Sequence, residues 1–518
     1  MKKTFIVLLA IAMLIACLCG CGSASTSANQ TAPSQSGTAT ASEPEETKTS
    51  IKIGIIQDPG SLAPYNAIID AQHSTALIYD KLFMLDGENM LQPCLAESYT
   101  IEDGNNIVIK IRDGVKDSAG NPFTASDAVF TLRLAEENGM FFTVAIDAGA
   151  CEVLDDNSFR MKLHHPDSGL LARLAFVPMV TEKSYQDSPD QMVTTPVGTG
   201  PYKLVEWVSG SSMTLTYNEN YWGKEPQIKD VTIVYIVDDS QRTTALETGA
   251  VDLVYSLPTS DVEHIKNSGI ADVASFESVK SSGVIFNANA PSICANLKLR
   301  QAISHAINYE AIAAVAYNGY AQTAKELFSP LCSDYTSSFS PAEYFKYDLD
   351  LAKELMAESG VPEGTELQLI TWPDPGLQQM SVQIQDMLSQ IGLKVNITSY
   401  ENAMFNQIIF DPTKYDIIAT VYFPPSGAST DLLDFIMLYC QMDDNMKAKY
   451  QDYYSREISE LDLPTLQGIV GEMLEEMYVD TPYVTACHLT QQFGYNSGLS
   501  GVVLNDAEML DMSSIAWK

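Results

Sequence analysis

The chain has 518 residues, and its 66 acidic against 30 basic residues give a formal net charge of −36. Nucleic acids and anionic membrane surfaces attract proteins through clustered lysine and arginine, so this acidic excess argues against both as partners. It is typical of a solvated surface, with an affinity for cationic ligands as the alternative. The length is well past the size at which one hydrophobic core stops growing, which predicts two or three lobes.

The N-terminus has the layout of an export signal. Lys2-Lys3 precedes an uncharged apolar run over residues 5–15, shorter than the ~20 residues that a helix needs to cross a bilayer. The segment Leu18-Cys19-Gly20-Cys21 then resembles a bacterial lipobox. We therefore expect residues 1–21 to be a lipoprotein signal peptide with Cys21 as the lipidation site. Cys17 as the modified residue, or a plain secretory signal with incidental cysteines, are the alternatives.

Residues 22–49 consist mainly of Ser, Thr, Ala, Gln, Pro and Glu. Such a stretch has too little apolar surface to offset the entropy of ordering, so we expect a disordered tether. As a flexible chain it would hold the folded part about 30 Å from its anchor. The expected location is the cell surface, on the outer face of the cytoplasmic membrane (the periplasmic side in a Gram-negative cell), with the lipid as the membrane contact.

Beyond the tether, segments typical of strands and of helices alternate, which predicts an α/β fold. In chain order, strands are predicted at 51–56, 106–112, 158–163, 232–237, 366–371 and 394–397. Short strands flanked by turns between residues 95 and 163 indicate a mixed lobe inserted into this arrangement.

Two helices are predicted at 348–359 and 380–391. Asp348 can cap the first helix, and Gly360 stands at its stop position. Gly392 follows the second helix in the same way. Because the second helix lies between the strands at 366–371 and 394–397, it forms a strand–helix–strand unit, which implies parallel pairing with a right-handed crossover.

No catalytic or metal-binding constellation is evident in the sequence. Nucleophile-elbow, zinc-protease and phosphate-loop motifs are absent, and Gly198-Thr199-Gly200 lacks the third glycine of a dinucleotide fingerprint. The only adjacent histidines, His164-His165, would point to opposite faces of an extended segment. We therefore expect no cofactor, no metal site and no enzymatic activity.

Six of the nine cysteines lie beyond the leader, none at the spacing of a zinc or redox motif. In an exported protein they can form one or two disulfides, and buried free thiols are the alternative. The six are Cys94, Cys151, Cys294, Cys332, Cys440 and Cys487.

Four blocks of sequence carry a family resemblance. The first covers 107–116 with 120–129, the second 198–204 with 218–223 and 249–253, the third 286–287 with 299–307, and the fourth 347–348 with 352–355 and 359–360. Together they resemble the family 5 extracellular solute-binding proteins, the oligopeptide, dipeptide and nickel receptors of ABC importers. The resemblance runs over about residues 51 to 500. One departure is Asp117, which stands where the family has an aromatic residue.

The resemblance implies a periplasmic-binding-protein-like fold (type II, cluster C), with two main lobes, an inserted third lobe and a hinge around a cleft. Lobe I would comprise 50–83, 196–283 and 490–518, lobe II the insertion 84–195, and lobe III 284–489. Chain crossovers near 282–287 and 487–491 would be the hinge. We expect a monomer that captures a small ligand between lobes I and III and delivers it to ABC permease subunits when the lobes close.

Two segments line the cleft in peptide-binding members of the family. The first follows the first strand and corresponds here to Asp70-Ala71-Gln72-His73, with an ordinary loop as the alternative. The second reads roughly Trp-x-Ala-Asp-Tyr, and its Asp pairs with the α-amino group of the peptide. Counted from Tyr415-Asp416, Tyr422 falls on the Trp position and Pro425 on the Asp position.

The proline removes the expected partner of a ligand's ammonium group, and an unpaired buried charge is costly. Either Asp431 or Asp70 takes over, or the ligand has no free amino terminus. The aromatic residues expected to wall an apolar pocket are Trp372, Tyr400, Tyr422 and Phe423. A short peptide is the expected ligand. An opine, a glycoside, a chelated metal or a blocked peptide is the alternative, and a secreted hydrolase or a sensory receptor is a more distant one.

Overall fold

The computed structural model describes residues 48–66, 73–87, 89–336, 346–506 and 509–518. The expected signal peptide with Cys21, most of the expected tether, and Asp70, Ala71 and Gln72 lie outside these ranges. Among the described residues, no helix has both the length and the apolar character that crossing a membrane requires.

The strands are numbered in chain order. They are β1 (Ser50–Ile55), β2 (Phe83–Leu85), β3 (Leu91–Pro93), β4 (Ala96–Asp103), β5 (Asn106–Ile111), β6 (Glu152–Asp155), β7 (Ser158–Lys162), β8 (Tyr202–Val208), β9 (Ser212–Tyr217), β10 (Asp230–Tyr235), β11 (Leu253–Val254), β12 (Ala271–Phe286), β13 (Ala321–Thr323), β14 (Glu366–Thr371), β15 (Lys394–Ser399), β16 (Ile417–Tyr422), β17 (Tyr483–Asn496), β18 (Leu499–Ser500), β19 (Leu504–Asp506), β20 (Met509–Leu510) and β21 (Ala516–Trp517).

The α-helices are α1 (Ala125–Glu137), α2 (Leu170–Arg173), α3 (Glu182–Asp187), α4 (Asp239–Glu247), α5 (Val262–Ser268), α6 (Leu297–Ala306), α7 (Tyr309–Ala316), α8 (Leu349–Ser359), α9 (Pro375–Ser389), α10 (Asn402–Ile408), α11 (Ser429–Tyr439), α12 (Asp444–Ser459) and α13 (Leu463–Asp480). Short 3₁₀ turns lie at Phe141–Thr143, Ala148–Ala150, Leu174–Phe176, Pro189–Gln191 and Ile293–Ala295.

Within the described residues the largest sheet is mixed and has eleven strands. Its order is β15-β14-β16-β12-β17-β11-β1-β10-β9-β8, and β13 also pairs with β17. β14 is parallel to both of its neighbours, and so is β1. The predicted strand–helix–strand unit is therefore confirmed as β14, α9 and β15. A separate four-stranded sheet, β4-β5-β7-β6, belongs to the inserted segment.

Two long strands, β12 and β17, belong to both halves of the large sheet. They pair antiparallel with each other, and residues 281–286 of β12 also pair with β16, whereas the far end of β17 pairs with β11. Their register shifts between Glu277 and Ser281. An irregular ladder of this kind bends and twists the strands locally. That the two halves turn about this stretch stays a prediction. The crossovers predicted near 282–287 and 487–491 fall within these strands.

Local signals explain the helix ends in this region. Asp348 caps α8 by accepting a hydrogen bond from Leu351 N at 3.0 Å, and Gly360 ends it with a φ of 69°. The helix predicted at 380–391 begins earlier, at Pro375, because Asp374 caps it and proline suits the first helical position.

The buried apolar side chains form three main cores. The largest core consists of residues between Val284 and Cys487, and the second of residues between Leu82 and Met179. The third contains residues of β1, of the strands from β8 through β11, and of the C-terminal stretch 493–515. We keep the names lobe III, lobe II and lobe I for the ranges predicted above. The cores follow these ranges except for Leu82 and Phe83 in the second core and Leu134 and Val180 in the third. The exact boundaries of the lobes stay a prediction.

Asp117, which departs from the family pattern, is fully buried in lobe II. Its carboxylate accepts hydrogen bonds from the hydroxyls of Thr181 and Ser184, each at 2.6 Å, and from the amides of Ala119 and Asn121, each at 2.9 Å. A buried carboxylate is tolerated when such bonds replace its hydration. The substitution of an aromatic residue by Asp117 thus has a structural account.

The cysteines within the described ranges are all buried, and Cys151, Cys294, Cys332, Cys440 and Cys487 are free thiols. Burial also raises the thiol pKa of Cys151, Cys294, Cys332, Cys440 and Cys487. Of the two alternatives left open by the sequence, this part of the chain has buried free thiols.

Candidate ligand-binding cleft

A cavity opens beside the irregular stretch of β12, where residues of all three lobes meet. Its volume is roughly 470 Å³ when the space open to solvent is counted. Its lining consists of Asp86, Gly87, Asn89, Phe176, Glu277, Ser278, Val279, Leu331, Phe423, Pro424, Pro425 and Leu504.

Aromatic and proline side chains form one wall of this cavity. Phe423 is half-buried, and its ring centroid lies 6.3 Å from that of Phe176 in an edge-to-face arrangement. Lys280 Nζ lies 5.3 Å from the centroid of the Phe423 ring. Pro424 and Pro425 have no backbone N–H, so this wall offers apolar contact surface and no amide donors at these two positions.

Carboxylates supply the charge of the lining. Glu277 is exposed, and its Oε1 accepts a hydrogen bond from Gln322 Nε2. Asp86 accepts from Met90 N at 2.9 Å and from Gln92 Nε2 at 2.7 Å. No lysine or arginine is among the lining residues. The lining thus contains two carboxylates, and the ammonium group of Lys280 lies beside the Phe423 ring of its wall.

The profile described as "Bacterial extracellular solute-binding proteins, family 5 Middle" matches residues 90–438. The chain belongs to this family. It is a solute-binding protein of the kind that serves ABC importers, which confirms the family predicted from the four sequence blocks.

Relatives and solved structures agree with this family 5 membership. The glutathione-binding protein GsiB of Escherichia coli K12 is 27% identical over 350 residues, which are 66% of this chain and 67% of GsiB. The substrate-binding protein CtaP of Listeria monocytogenes has a TM-score of 0.81 at 20% identity, over 91% of this chain and 100% of CtaP. DppA of Helicobacter pylori, in complex with peptide STSA, has a TM-score of 0.75 at 22% identity, over 91% of this chain and 98% of DppA. These structures confirm the predicted periplasmic-binding-protein fold.

The aromatic residues predicted for the family 5 cleft separate in the structure. Phe423 lines the cavity, but Tyr422 is buried in the lobe III core with its ring centroid 4.9 Å from that of Phe435. Trp372 is half-buried with its ring edge-to-face with Phe405, at 5.0 Å. Tyr400 is half-buried at the end of β15 and also packs on the lobe III core. Only Phe423 of these four is among the residues that line the cavity.

Asp431 is not among the residues that line this cavity either. Its Oδ2 accepts hydrogen bonds from Ser426 N and Oγ, both at 2.6 Å, and its Oδ1 faces Arg173 Nη1 at 3.4 Å. Its side chain is 3% exposed. This placement argues against the anchoring role expected for Asp431, because both carboxylate oxygens already have partners.

His73 lies in a different cavity, in lobe I, together with Tyr255, Trp222 and Met509. Its ring centroid is 4.9 Å from that of Tyr255. In the same cavity Trp222 Nε1 donates to Asp80 Oδ2 at 2.7 Å, and burial raises the pKa of Asp80 to about 6. The structure therefore does not place His73 in the cavity that Phe423 lines, and Asp70, Ala71 and Gln72 are outside the described residues.

Glu277 and Phe176 are the lining residues of most interest that sequence reasoning missed. Glu277 lies where β12 and β17 lose their regular register, and Phe176 belongs to the inserted lobe. A resemblance that assigns ligand contacts to the segments after β1 and β16 gives no signal for either residue.

Proposed function

We propose that this family 5 protein captures a short peptide in the cavity beside β12 and delivers it to an ABC permease by hinge closure. The position of the cavity carries the proposal. Phe423 follows directly after β16, and Glu277 belongs to a strand that both halves of the large sheet share. A ligand bound here touches several lobes, so it favours the arrangement in which they are close. Similarity to a glutathione-binding protein and to a peptide complex supports a peptide.

Glu277 is our candidate for the carboxylate that receives the peptide's ammonium group. Glu277 lines the cavity. We prefer it to Asp431 for this role, because the carboxylate oxygens of Asp431 already contact Ser426 and Arg173. Pro425 lines the same cavity at the position where the family resemblance places an aspartate. A hydrogen bond to a charged group contributes about 1.5–3 kcal/mol, enough to make one such carboxylate a determinant of affinity.

A ligand without a free amino terminus, such as an N-blocked peptide, an opine, a glycoside or a chelated metal, is the second candidate. Pro424 and Pro425 favour it, because neither can donate to a peptide carbonyl and neither carries a charge. In that case burial of the ligand against Phe176 and Phe423 would supply most of the binding free energy.

Thermal-shift titrations with dipeptides that have free or N-acetylated amino termini separate the two candidates. We expect free-amino dipeptides to raise the melting temperature, and Glu277→Gln to weaken them about tenfold or more. Glu206→Gln is the matched control, because Glu206 is exposed on β8 at the far end of the sheet. Stabilisation by acetylated dipeptides alone would favour the second candidate. Stabilisation by neither set would contradict a peptide ligand.

We also infer that Cys21 carries a lipid and that residues 22–49 tether the binding lobes to the outer face of the cytoplasmic membrane. The mature protein should then partition into a detergent phase. This partitioning should be lost in Cys21→Ala and kept in Cys17→Ala. The opposite pattern would move the lipid to Cys17, and loss in neither variant would contradict lipidation at this lipobox.

A further inference from the structure

Lobe II has no covalent connection to lobe III, because its chain leaves lobe I near residue 83 and returns to it near residue 196. It nevertheless contacts lobe III through the segment around α2. Ser168 N donates to Ile458 O at 3.0 Å, and the Ser168 hydroxyl donates to Glu457 O at 3.1 Å. A rotation of lobe III about β12 and β17, with lobe II carried along by lobe I, must break these bonds.

Arg173 lies at the centre of this contact, between a carboxylate of its own lobe and one of lobe III. Its Nη2 donates to Asp167, and its Nη1 lies 3.4 Å from Asp431 Oδ1. The side chains of Arg173, Asp167 and Asp431 are 7%, 2% and 3% exposed. Closing of the lobes therefore takes one cation and two carboxylates out of water together.

A second pair of buried carboxyl groups lies next to this contact in lobe III. Ser429 N donates to Asp334 at 2.9 Å, and Ser429 Oγ donates to Glu457 Oε2 at 2.8 Å. Within the described residues, Glu457 Oε1 has no hydrogen-bond partner. Burial raises the pKa of Asp334 to about 6 and that of Glu457 to about 8.

The acids of the whole cluster outnumber its cations. The carboxyl groups that face one another here are Asp167, Asp334, Asp431, Asp434 and Glu457. The cations are Arg173 and Arg456, and Arg456 also pairs with Glu472 at 2.7 Å. The remaining titratable groups, Tyr422, Tyr454 and Cys332, are neutral at ordinary pH because burial raises the pKa of each.

Removing several charges from water is costly unless each is paired, and a surplus carboxylate lowers this cost by binding a proton. One buried arginine cannot neutralise two contacting carboxylates and a third nearby. We propose that the contact between lobes II and III is an acid-sensitive latch: closing buries Arg173 between Asp167 and Asp431, the cluster takes up a proton, and closure strengthens as the pH falls. This inference rests on the hinge closure proposed above and not on the identity of the ligand.

The pH window follows from Asp434. Burial first, and then Asp431 on the same helix, raise the pKa of Asp434 from 3.8 to about 6, whereas Arg173 across the contact lowers it. A carboxyl group with a higher pKa in the closed state binds more protons there, so closure is favoured as the pH falls from about 7 towards 4. One proton bound per closing event changes the closing equilibrium by up to about tenfold per pH unit inside this window.

Hydrogen exchange of the full mature protein, followed by mass spectrometry without any ligand, measures the opening of this contact. The amide of Ser168 exchanges only when its bond to Ile458 is broken, so peptides that cover 165–176 report the contact. Strand β10, in the middle of the lobe I half of the sheet, is the internal reference. After correction for intrinsic rates, we expect the protection factor of 165–176 to rise several-fold between pH 7 and pH 5.5, while β10 changes less.

Asp431→Asn should flatten this pH dependence, because the remaining pair of Arg173 and Asp167 is neutral. Asp434→Asn should also reduce the pH dependence of protection. This variant provides the test if Asp431→Asn folds poorly. Asp252→Asn is the matched control: Asp252 is a buried aspartate with a lysine partner, Lys48 at 2.9 Å, in lobe I. Protection that does not change with pH, or a slope that is equal in the wild type and both cluster variants, would overturn the proposal. So would protection of 165–176 equal to that of β10 at every pH, because the contact would then never open.

Discussion

Arg300 holds the end of the last helix of lobe III, and its replacement should destabilise that lobe strongly. Its buried guanidinium donates to the backbone carbonyl of Asp480 through Nη2 at 2.6 Å, to that of Thr481 through Nε at 3.1 Å, and to that of Cys294 through Nη1 at 2.8 Å. Carbonyls at a helix C-terminus have no intrahelical partner, and the helix dipole also favours a positive charge at this end.

Arg300→Met keeps much of the apolar volume and removes every donor, which leaves these carbonyls buried without a partner. At about 1–3 kcal/mol per unsatisfied group, and with partial relaxation, we expect a loss of about 3–5 kcal/mol in the free energy of unfolding. Urea denaturation followed by circular dichroism measures it. Gln301→Ala is the control, because Gln301 makes one exposed bond to Val479 O at 3.2 Å and should change stability by only about 0.5 kcal/mol.

A loss below about 1 kcal/mol for Arg300→Met would refute this reasoning, since the carbonyls would then be as well satisfied without the guanidinium. Weaker ligand binding at unchanged stability would refute it in another way, because Arg300 would then serve the ligand and not the scaffold.

Three further predictions follow from single sites. Burial raises the pKa of Glu457 from 4.5 to about 8, so the folded state binds one more proton than the unfolded state between these pH values. The free energy of unfolding should therefore fall as the pH rises from 5 to 8, by at most about 1.4 kcal/mol per pH unit. Glu457→Gln should flatten this pH profile in thermal denaturation. Gly198→Ala should cost about 1–3 kcal/mol, because its Cβ would lie 2.2 Å from Ile78 O, whereas Gly468→Ala, with no atom within 4 Å, should be neutral or slightly stabilising. EDTA should leave the melting temperature unchanged, because the sequence predicts no metal site, and a clear drop would contradict that prediction.

Features set by neighbouring residues were predictable from the sequence. The strand at 366–371 has the predicted bounds. The pattern of apolar residues within it and of polar residues on either side is enough to predict where it begins and ends. Asp348 and Gly360 were identified as helix signals for the same reason. The start of α9 was missed because the apolar period begins at Met380, while the cap and the proline that determine the start lie several residues earlier.

Features set by long-range packing were not predictable. Tyr422 was expected in the cleft, but β16 is buried on both faces, so alternation along the strand cannot tell the core side from the cleft side. Asp431 and Arg173 are 258 residues apart and meet only because lobe II docks on lobe III. Glu277 enters the cavity where β12 is irregular, and a register shift depends on pairing with β17, which one sequence does not specify.

Native mass spectrometry of the protein purified from its own cells tests the central claim most directly. Family 5 receptors that close on a ligand should retain it through gentle purification. We predict added masses that fragment into short peptides with free amino termini, and their loss from Glu277→Gln but not from Glu206→Gln. A single non-peptide mass, or the isotope pattern of a metal chelate, would contradict the peptide assignment.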